Sequence, residues 1–575
     1  MPKVHDDKYR QRLAWVGVFV IVFSLLLSSK LFLLQIVRGD DYVETADRSY
    51  LQTNEQFDRG TIFLSSKEGI PIAGATIVRG YLLALDPRRI EDPEALYTTL
   101  EPYLITINKD EFIQRASKKT DPYEEIEHKI EREQADEIKA LELPGVNLYQ
   151  ESWRYYPGEG LLSNALGFVA FRQDTLQGQY GLERQYDDLL ARDSEEVNIN
   201  VFAEIFSNLN KTVFQKNKDH GDIVTTIDAR TQQQLEQTLA KALDEWSAKS
   251  AFGIVTNPQT GELYAMASTP SYNNNSFGSV KDISIYRNPL IENIYEFGSV
   301  IKPLVVAGAL DVNAVTADTE YYDAGSVVVE DATIKNYDGK GRGQVTVRDI
   351  LAESLNTGMV FIMQQMGRDA LRNYLTAFGI GERTGIDLPS EVKGLVSNLQ
   401  SPRELEYATA SFGQGISMSP IALARALSAL GNGGYLIQPH VVKEIRYEDA
   451  DDEIIQYSKE DMTQVISTDS SERITRILVS IVDDTLGGGA YKKPGYTIAA
   501  KTGTAQIPNP QGGYYDDRNQ HSFFGYFPAY DPQYLILLSI EHPKNAKFAS
   551  QTLTDPFFEI ADFLIRYYNV APDRQ

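Results

Sequence analysis

After a short basic stretch the chain enters an apolar run, from Leu13 to Val37, in which Lys30 is the only charged residue. A membrane-spanning helix needs roughly 17–25 such residues, and a lysine near one end can extend its methylenes to reach the interface. The pattern predicts an uncleaved anchor over 13–37. A signal peptide would need a shorter apolar core and an Ala-x-Ala cleavage site, which is not seen. Lys3, Lys8, Arg10 and Arg12 precede the run, while Asp40, Asp41, Glu44 and Asp47 follow it. That asymmetry puts a tail of residues 1–12 in the cytoplasm and everything past the anchor outside it.

Beyond the anchor, Ser49 to Pro87 reads as short strands punctuated by Gly60, Gly69 and Pro71. Residues 91–142 are charged and helix-forming, and Asp121 to Leu143 repeats Ile and Leu at helical spacing up to Pro144-Gly145. These features predict a mixed α/β pedestal over 38–215, closed by the polar stretch Asn208 to Gly221. From 216 the pattern changes. A strand over 222–227 and a helix over 229–246 precede two strands, 252–256 and 262–267, joined as a hairpin by N-P-Q-T-G. Three more strands are expected near the end, at 496–506, 521–528 and 533–540, and then a helix from about 555 to 568. Two strands and three, separated by a mostly helical insertion, suggest one five-stranded antiparallel sheet closed by both ends of the segment 216–575 and flanked by helices.

Composition narrows the chemistry. The chain has 575 residues and a formal net charge of −25, which argues against nucleic acid as a partner, because phosphate binding needs a basic surface. It has no cysteine, so disulfides, thiolate metal sites and cysteine catalysis are excluded. The histidines show no ligand spacing, and no G-x-S-x-G elbow is present. A zinc site is therefore not expected.

One stretch organises what remains: Tyr295 to Pro303, Y-E-F-G-S-V-I-K-P, just ahead of the apolar run Leu304 to Leu310. If that run is helical, Ser299 and Lys302 share one face. Pro303 is tolerated only if the first turn begins near Ser299. The serine then lies at the positive end of a helix dipole, with a lysine within reach to take its proton once the charged form is disfavoured. A second S-x-x-K, Ser390 and Lys393, has no apolar helix after it and is expected to be a solvated loop. Two further motifs follow in order. Ser354-Leu355-Asn356 comes after a helix that Thr346 and Asp349 can cap; Ser271 and Asn273 form a chance copy of the triplet. Lys501-Thr502-Gly503-Thr504 lies on a strand whose alternation puts both threonine hydroxyls on one side, fit to bind a carboxylate, with Gly503 leaving room for a ligand near the backbone. The run Gly339 to Gly343 lacks the spacing of a phosphate loop and reads as a turn.

The set S-x-x-K, S-x-N, K-T-G is that of serine penicillin-binding proteins and β-lactamases. Along nearly its whole length the chain resembles a class B penicillin-binding protein, a monofunctional peptidoglycan D,D-transpeptidase. R-G-T-I-F, G-L-E-R-Q-Y-D, S-F-G-Q-G-I, K-T-G-T-A-Q and H-S-F-F-G-Y-F-P-A carry the likeness alongside the three motifs. The resemblance implies a transmembrane helix, an elongated pedestal or dimerisation domain, and a penicillin-binding transpeptidase domain of α+β class. It implies Ser299 as nucleophile, Lys302 as its base and Ser354 as proton relay, with Asn356 on the donor amide. Lys501 would set the potential, and Thr502, Gly503 and Thr504 would bind the substrate carboxylate, with the N–H groups of Ser299 and Thr504 as oxyanion hole. The implied partners are peptidoglycan stem peptides, β-lactams, a multi-span membrane glycan polymerase and other division proteins. Tyr295-Glu296, G-G-Y-Y at Gly512 to Tyr515, and Leu355 within S-x-N look more like the division branch than the elongation branch. A penicillin-sensing receptor, a scaffold and a β-lactamase are the alternatives. The first suits the short cytoplasmic tail badly, the second the retained Lys302 and Asn356, and the third the large pedestal. Two positions depart from the family near the site: Phe297 replaces a usual proline and Ala500 a frequent glycine, both expected to reshape the pocket rim.

Overall fold

The computed structural model describes residues 57–172, 175–192, 220–448, 451–455 and 462–574, and isolated residues 15, 23 and 30. All but those three positions of the expected anchor lie outside the described residues. Among the described residues no helix is long and apolar enough to cross a membrane.

The described chain gathers into two compact units, a smaller one built on Ile77–Arg154 and a larger one that includes Gly60–Thr76, Tyr155–Ala191 and the chain from 220 onward. In the smaller unit the strand Glu124–Ile130 pairs antiparallel with the end of Ile72–Leu85, with Leu83 opposite Glu127. Helices Pro93–Leu100, Lys109–Ala116 and Arg132–Ala140 cover it, burying Leu100, Phe112, Ala135 and Ile138. This corrects the continuous helix expected over 121–143. The helix itself forms only from Arg132 onward. Before it, Ile126 and Ile130 are buried in a strand, because pairing with Ile72–Leu85 outweighs a weak local helical preference.

In the larger unit the five expected strands form one antiparallel sheet. Its order is Leu263–Thr269, Ser250–Thr256, Tyr534–Glu541, Tyr514–Phe527, Ala499–Pro508. Side-chain alternation divides the sheet between two cores. Ala251, Val255, Phe523, Phe527, Ile536, Leu538 and Ile540 pack with helices Ala229–Glu245 and Thr554–Tyr568. Phe252, Ile254, Phe524, Tyr526, Leu535 and Leu537 belong to the opposite core, with the helix Lys302–Asp311. Each such fully buried apolar side chain contributes roughly 1.5–3 kcal/mol. Lys302–Asp311 is buried from Lys302 to Leu310, so it is apolar on every face, as a central helix must be. The strand Gly221–Asp228 lies outside the five-stranded sheet, pairing instead with Val442–Tyr447 and Ile62–Ser65.

Candidate active site

The turn that carries Ser299, the expected nucleophile, forms where the sequence requires it. Gly298–Ile301 is a turn of 3-10 helix that runs into Lys302–Asp311, and Pro303 sits in the first turn, where it has no hydrogen bond to lose. Gly298 has φ +59°, and a Cβ there would lie 2.9 Å from the carbonyl oxygen of Thr504. Only glycine lets the turn approach that strand.

Ser354 closes the next side. Helix Val347–Ala352 starts at the Thr346–Asp349 capping box. Between it and helix Asn356–Met366, Ser354 takes a left-handed φ of +57°. Lys302 Nζ donates to the Ser354 carbonyl oxygen at 2.6 Å, lies 3.2 Å from the Ser354 hydroxyl, and donates to Asn356 Oδ1 at 2.9 Å. Lys302 is fully buried. That burial, and next the positive charge of Lys501, hold its pKa well below the ordinary lysine value. Lys501 is itself buried, its Nζ donating to the carbonyl of Thr502 at 2.9 Å, and burial lowers its pKa to about 8.

Along Ala499–Pro508, Lys501, Gly503 and Ala505 are buried, whereas Thr502, Thr504 and Gln506 are partly open. Ser299, Ser354, Asn356, Lys501, Thr502 and Thr504 all line one cavity of about 680 Å³, a volume suited to a small ligand. Thr504 Oγ1 accepts a hydrogen bond from the backbone N–H of Ala549 at 3.1 Å. Its one hydroxyl proton is thereby left to donate into the cavity.

Gly503 requires a correction. It does not line the cavity; a Cβ there would lie 2.8 Å from the carbonyl oxygen of Phe297 and 2.9 Å from Val300 Cγ1. Its missing side chain lets the strand lie on the nucleophile turn, on the face away from a ligand. Phe297 likewise does not reach the rim: it is fully buried, with its ring against Phe252 and Tyr295. Ala500 does line the cavity, and its methyl is accommodated opposite Gly525 on the neighbouring strand. Of the duplicate motifs, Ser390 and Lys393 are exposed in a loop, and neither Ser271 nor Asn273 lines the cavity.

Sequence reasoning missed the support beneath Asn356. Buried Asp323 accepts from Thr357 Oγ1 at 2.7 Å and from Asn336 Nδ2 at 3.0 Å, while Asn336 Oδ1 accepts from the Thr357 N–H at 3.2 Å. Next to it, Asn356 Nδ2 donates to the carbonyl of Lys335 at 3.2 Å. These residues are 13 to 34 positions apart, so no local spacing marks them. Tyr337 and Phe548, edge to face at 5.4 Å, also line the cavity without a sequence signal. Among the described residues no group of His, Cys, Asp and Glu side chains is placed to hold a metal ion.

The chain is similar to known proteins over most of its length. Residues 251–560 match the penicillin binding protein transpeptidase domain, and residues 58–226 the penicillin-binding protein dimerisation domain. The chain is 30% identical to stage V sporulation protein D of Bacillus subtilis, over 96% of this chain and 85% of that one. It is 27% identical to the peptidoglycan D,D-transpeptidase FtsI of Escherichia coli, over 97% and 92%. Among solved structures it shares a fold with penicillin-binding protein 2X from Streptococcus thermophilus: TM-score 0.69, 22% identity, 90% of this chain and 80% of that one. Penicillin-binding protein 3 from Mycobacterium tuberculosis, solved in complex with aztreonam, gives a TM-score of 0.66 at 22% identity, over 90% and 97%.

Proposed function

The chain belongs to the class B penicillin-binding proteins, the serine peptidoglycan D,D-transpeptidases, and from that premise we propose how its own residues carry out the reaction. Ser299 Oγ attacks the carbonyl between the two terminal D-alanines of a stem peptide. The ester bond forms, the amide C–N bond breaks, and the serine proton passes to Lys302 and on through the Ser354 hydroxyl to the departing D-alanine nitrogen. The amine of a neighbouring stem peptide then attacks the ester. It gives its proton back along the same path to Ser299 Oγ and leaves a cross-link. Asn356 holds the donor amide, Thr502 and Thr504 its carboxylate, and the N–H groups of Ser299 and Thr504 the developing oxyanion. β-Lactams acylate the same serine.

The observation that carries this assignment is the environment of Lys302. Two of its three polar neighbours, the Ser354 carbonyl and Asn356 Oδ1, can only accept hydrogen bonds. A neutral amine gives its two N–H bonds to them and keeps its lone pair for the third neighbour, the Ser354 hydroxyl at 3.2 Å, through which the proposed proton relay runs. Burial and the charge of Lys501 both favour that neutral form.

We further place the enzyme in septal wall synthesis, on the strength of Tyr295-Glu296, G-G-Y-Y and Leu355. It is held to the membrane by residues 13–37 with its catalytic domain outside the cytoplasm. We propose that its glycan strands come from a multi-span membrane polymerase acting with other division proteins. The decisive experiment on the site is fluorescent-penicillin labelling with mass spectrometry. Wild type is expected to carry one adduct, on Ser299, and Ser299→Ala none. An adduct on any other residue would overturn the assignment.

A further inference from the structure

Tyr295-Glu296 and the G-G-Y-Y group take no part in the chemistry above, yet the fold joins them. Tyr514 Oη donates to Glu296 Oε2 at 2.9 Å across 218 positions of sequence. Glu296 leads directly into Phe297, Gly298 and Ser299. Tyr514 opens the strand Tyr514–Phe527 and lies directly opposite Pro508, the last residue of the strand that carries Lys501, Thr502 and Thr504. The backbone of Gly415 lies against the same two side chains.

Close packing makes this bond consequential. A Cβ at Gly413 would lie 2.2 Å from the carbonyl oxygen of Gly298, and one at Gly503 would lie 2.8 Å from that of Phe297. The nucleophile turn is therefore gripped between the segment around Gly413 and the middle of Ala499–Pro508. The Tyr514–Glu296 bond adds a second point of attachment, on the neighbouring strand where Tyr514 pairs with Pro508 at the far end of Ala499–Pro508. One point lets a strand pivot; two set its direction. Past the second point the hairpin tip is exposed, with Gly512 and Gly513 at positive φ in open space.

We propose that Glu296 and Tyr514 are positioning residues for acylation: their hydrogen bond holds the strand of Lys501, Thr502 and Thr504 at a set distance and angle from Ser299. A substrate whose carboxylate is held by that strand then presents its carbonyl to the serine. The inference rests on the roles assigned above to Ser299, Thr502 and Thr504.

The test is stopped-flow acylation of the whole protein by a fluorescent penicillin, which separates initial binding from the acylation step. Tyr514→Phe and Glu296→Ala are each expected to slow acylation about tenfold, with initial binding within about twofold of wild type. Glu296→Gln, which still accepts a hydrogen bond, should lose less than Glu296→Ala. The double variant should be no slower than the slower single, because both remove one bond. Thermal midpoints should stay close to wild type, which separates positioning from a general loss of stability. Acylation within about twofold of wild type in both single variants, losses confined to initial binding, or losses that multiply in the double variant would each overturn the inference while Ser299 labels normally. Wild-type acylation at a residue other than Ser299 would instead overturn the reading of the site, and this inference with it.

Discussion

Lys302, the proposed base, has little room. It acts as a base only when neutral, and the neutral form predominates above its own pKa. Lowering that pKa thus extends the reactive form downward toward neutral pH. Burial is the first cause and the charge of Lys501 the second. Replacing Lys501 by glutamine removes the second. The Lys302 pKa then rises, and the acid limb of the pH–rate profile for Ser299 acylation should move to higher pH. Each unit of that movement costs about tenfold in rate on the limb. An acid limb that stays in place in Lys501→Gln would show that the two ammonium groups do not interact.

At the scale of elements, the site is a junction of a strand and a turn that glycine makes possible. Gly503→Ala would set a methyl against the Phe297 carbonyl oxygen and Val300, backbone and buried side chain that cannot move aside freely. Overpacking of this kind costs about 1–3 kcal/mol. A shift of the turn by a fraction of an ångström should also slow acylation by about tenfold or more. Denaturant unfolding and penicillin labelling measure the two effects. Gly278→Ala is the control, since nothing lies within 4 Å of its Cβ position and its φ is not positive. If Gly503→Ala is as stable and as reactive as that control, the strand and turn are not in the close contact described.

At the scale of the whole molecule, the question is where the enzyme works. A transpeptidase consumes glycan strands that must already be polymerised and lying outside the membrane. With the anchor proposed over 13–37, a chain of this kind would meet its supply at the bilayer. A fluorescent fusion is expected to gather at midcell and to co-purify with a multi-span glycan polymerase. A signal along the side walls and absent from septa would overturn the septal assignment, and purification without any such polymerase would overturn the partner.

The elements of the five-stranded sheet were legible in the sequence because their signal is local: 252–256, 521–528 and 533–540 are short, mostly apolar runs bounded by turn residues, and the hairpin turn N-P-Q-T-G names its neighbour. The nucleophile turn was legible for the same reason, since Pro303 and the apolar run behind it dictate where the helix starts. Reading failed where a long-range contact decided the outcome. Residues 124–130 have helical spacing but are drawn into a sheet by a partner strand 39 to 49 residues earlier. Gly503 looked like space for a ligand because its own strand cannot say what packs on its buried face. The support of Asn356 by Asp323 and Asn336, and the tie of Glu296 to Tyr514, join positions with no local relation. Sequence alone determined which residue types would do the chemistry and on which elements they ride. Only the tertiary structure decided the distances between those elements, because such distances depend on which surfaces bury one another.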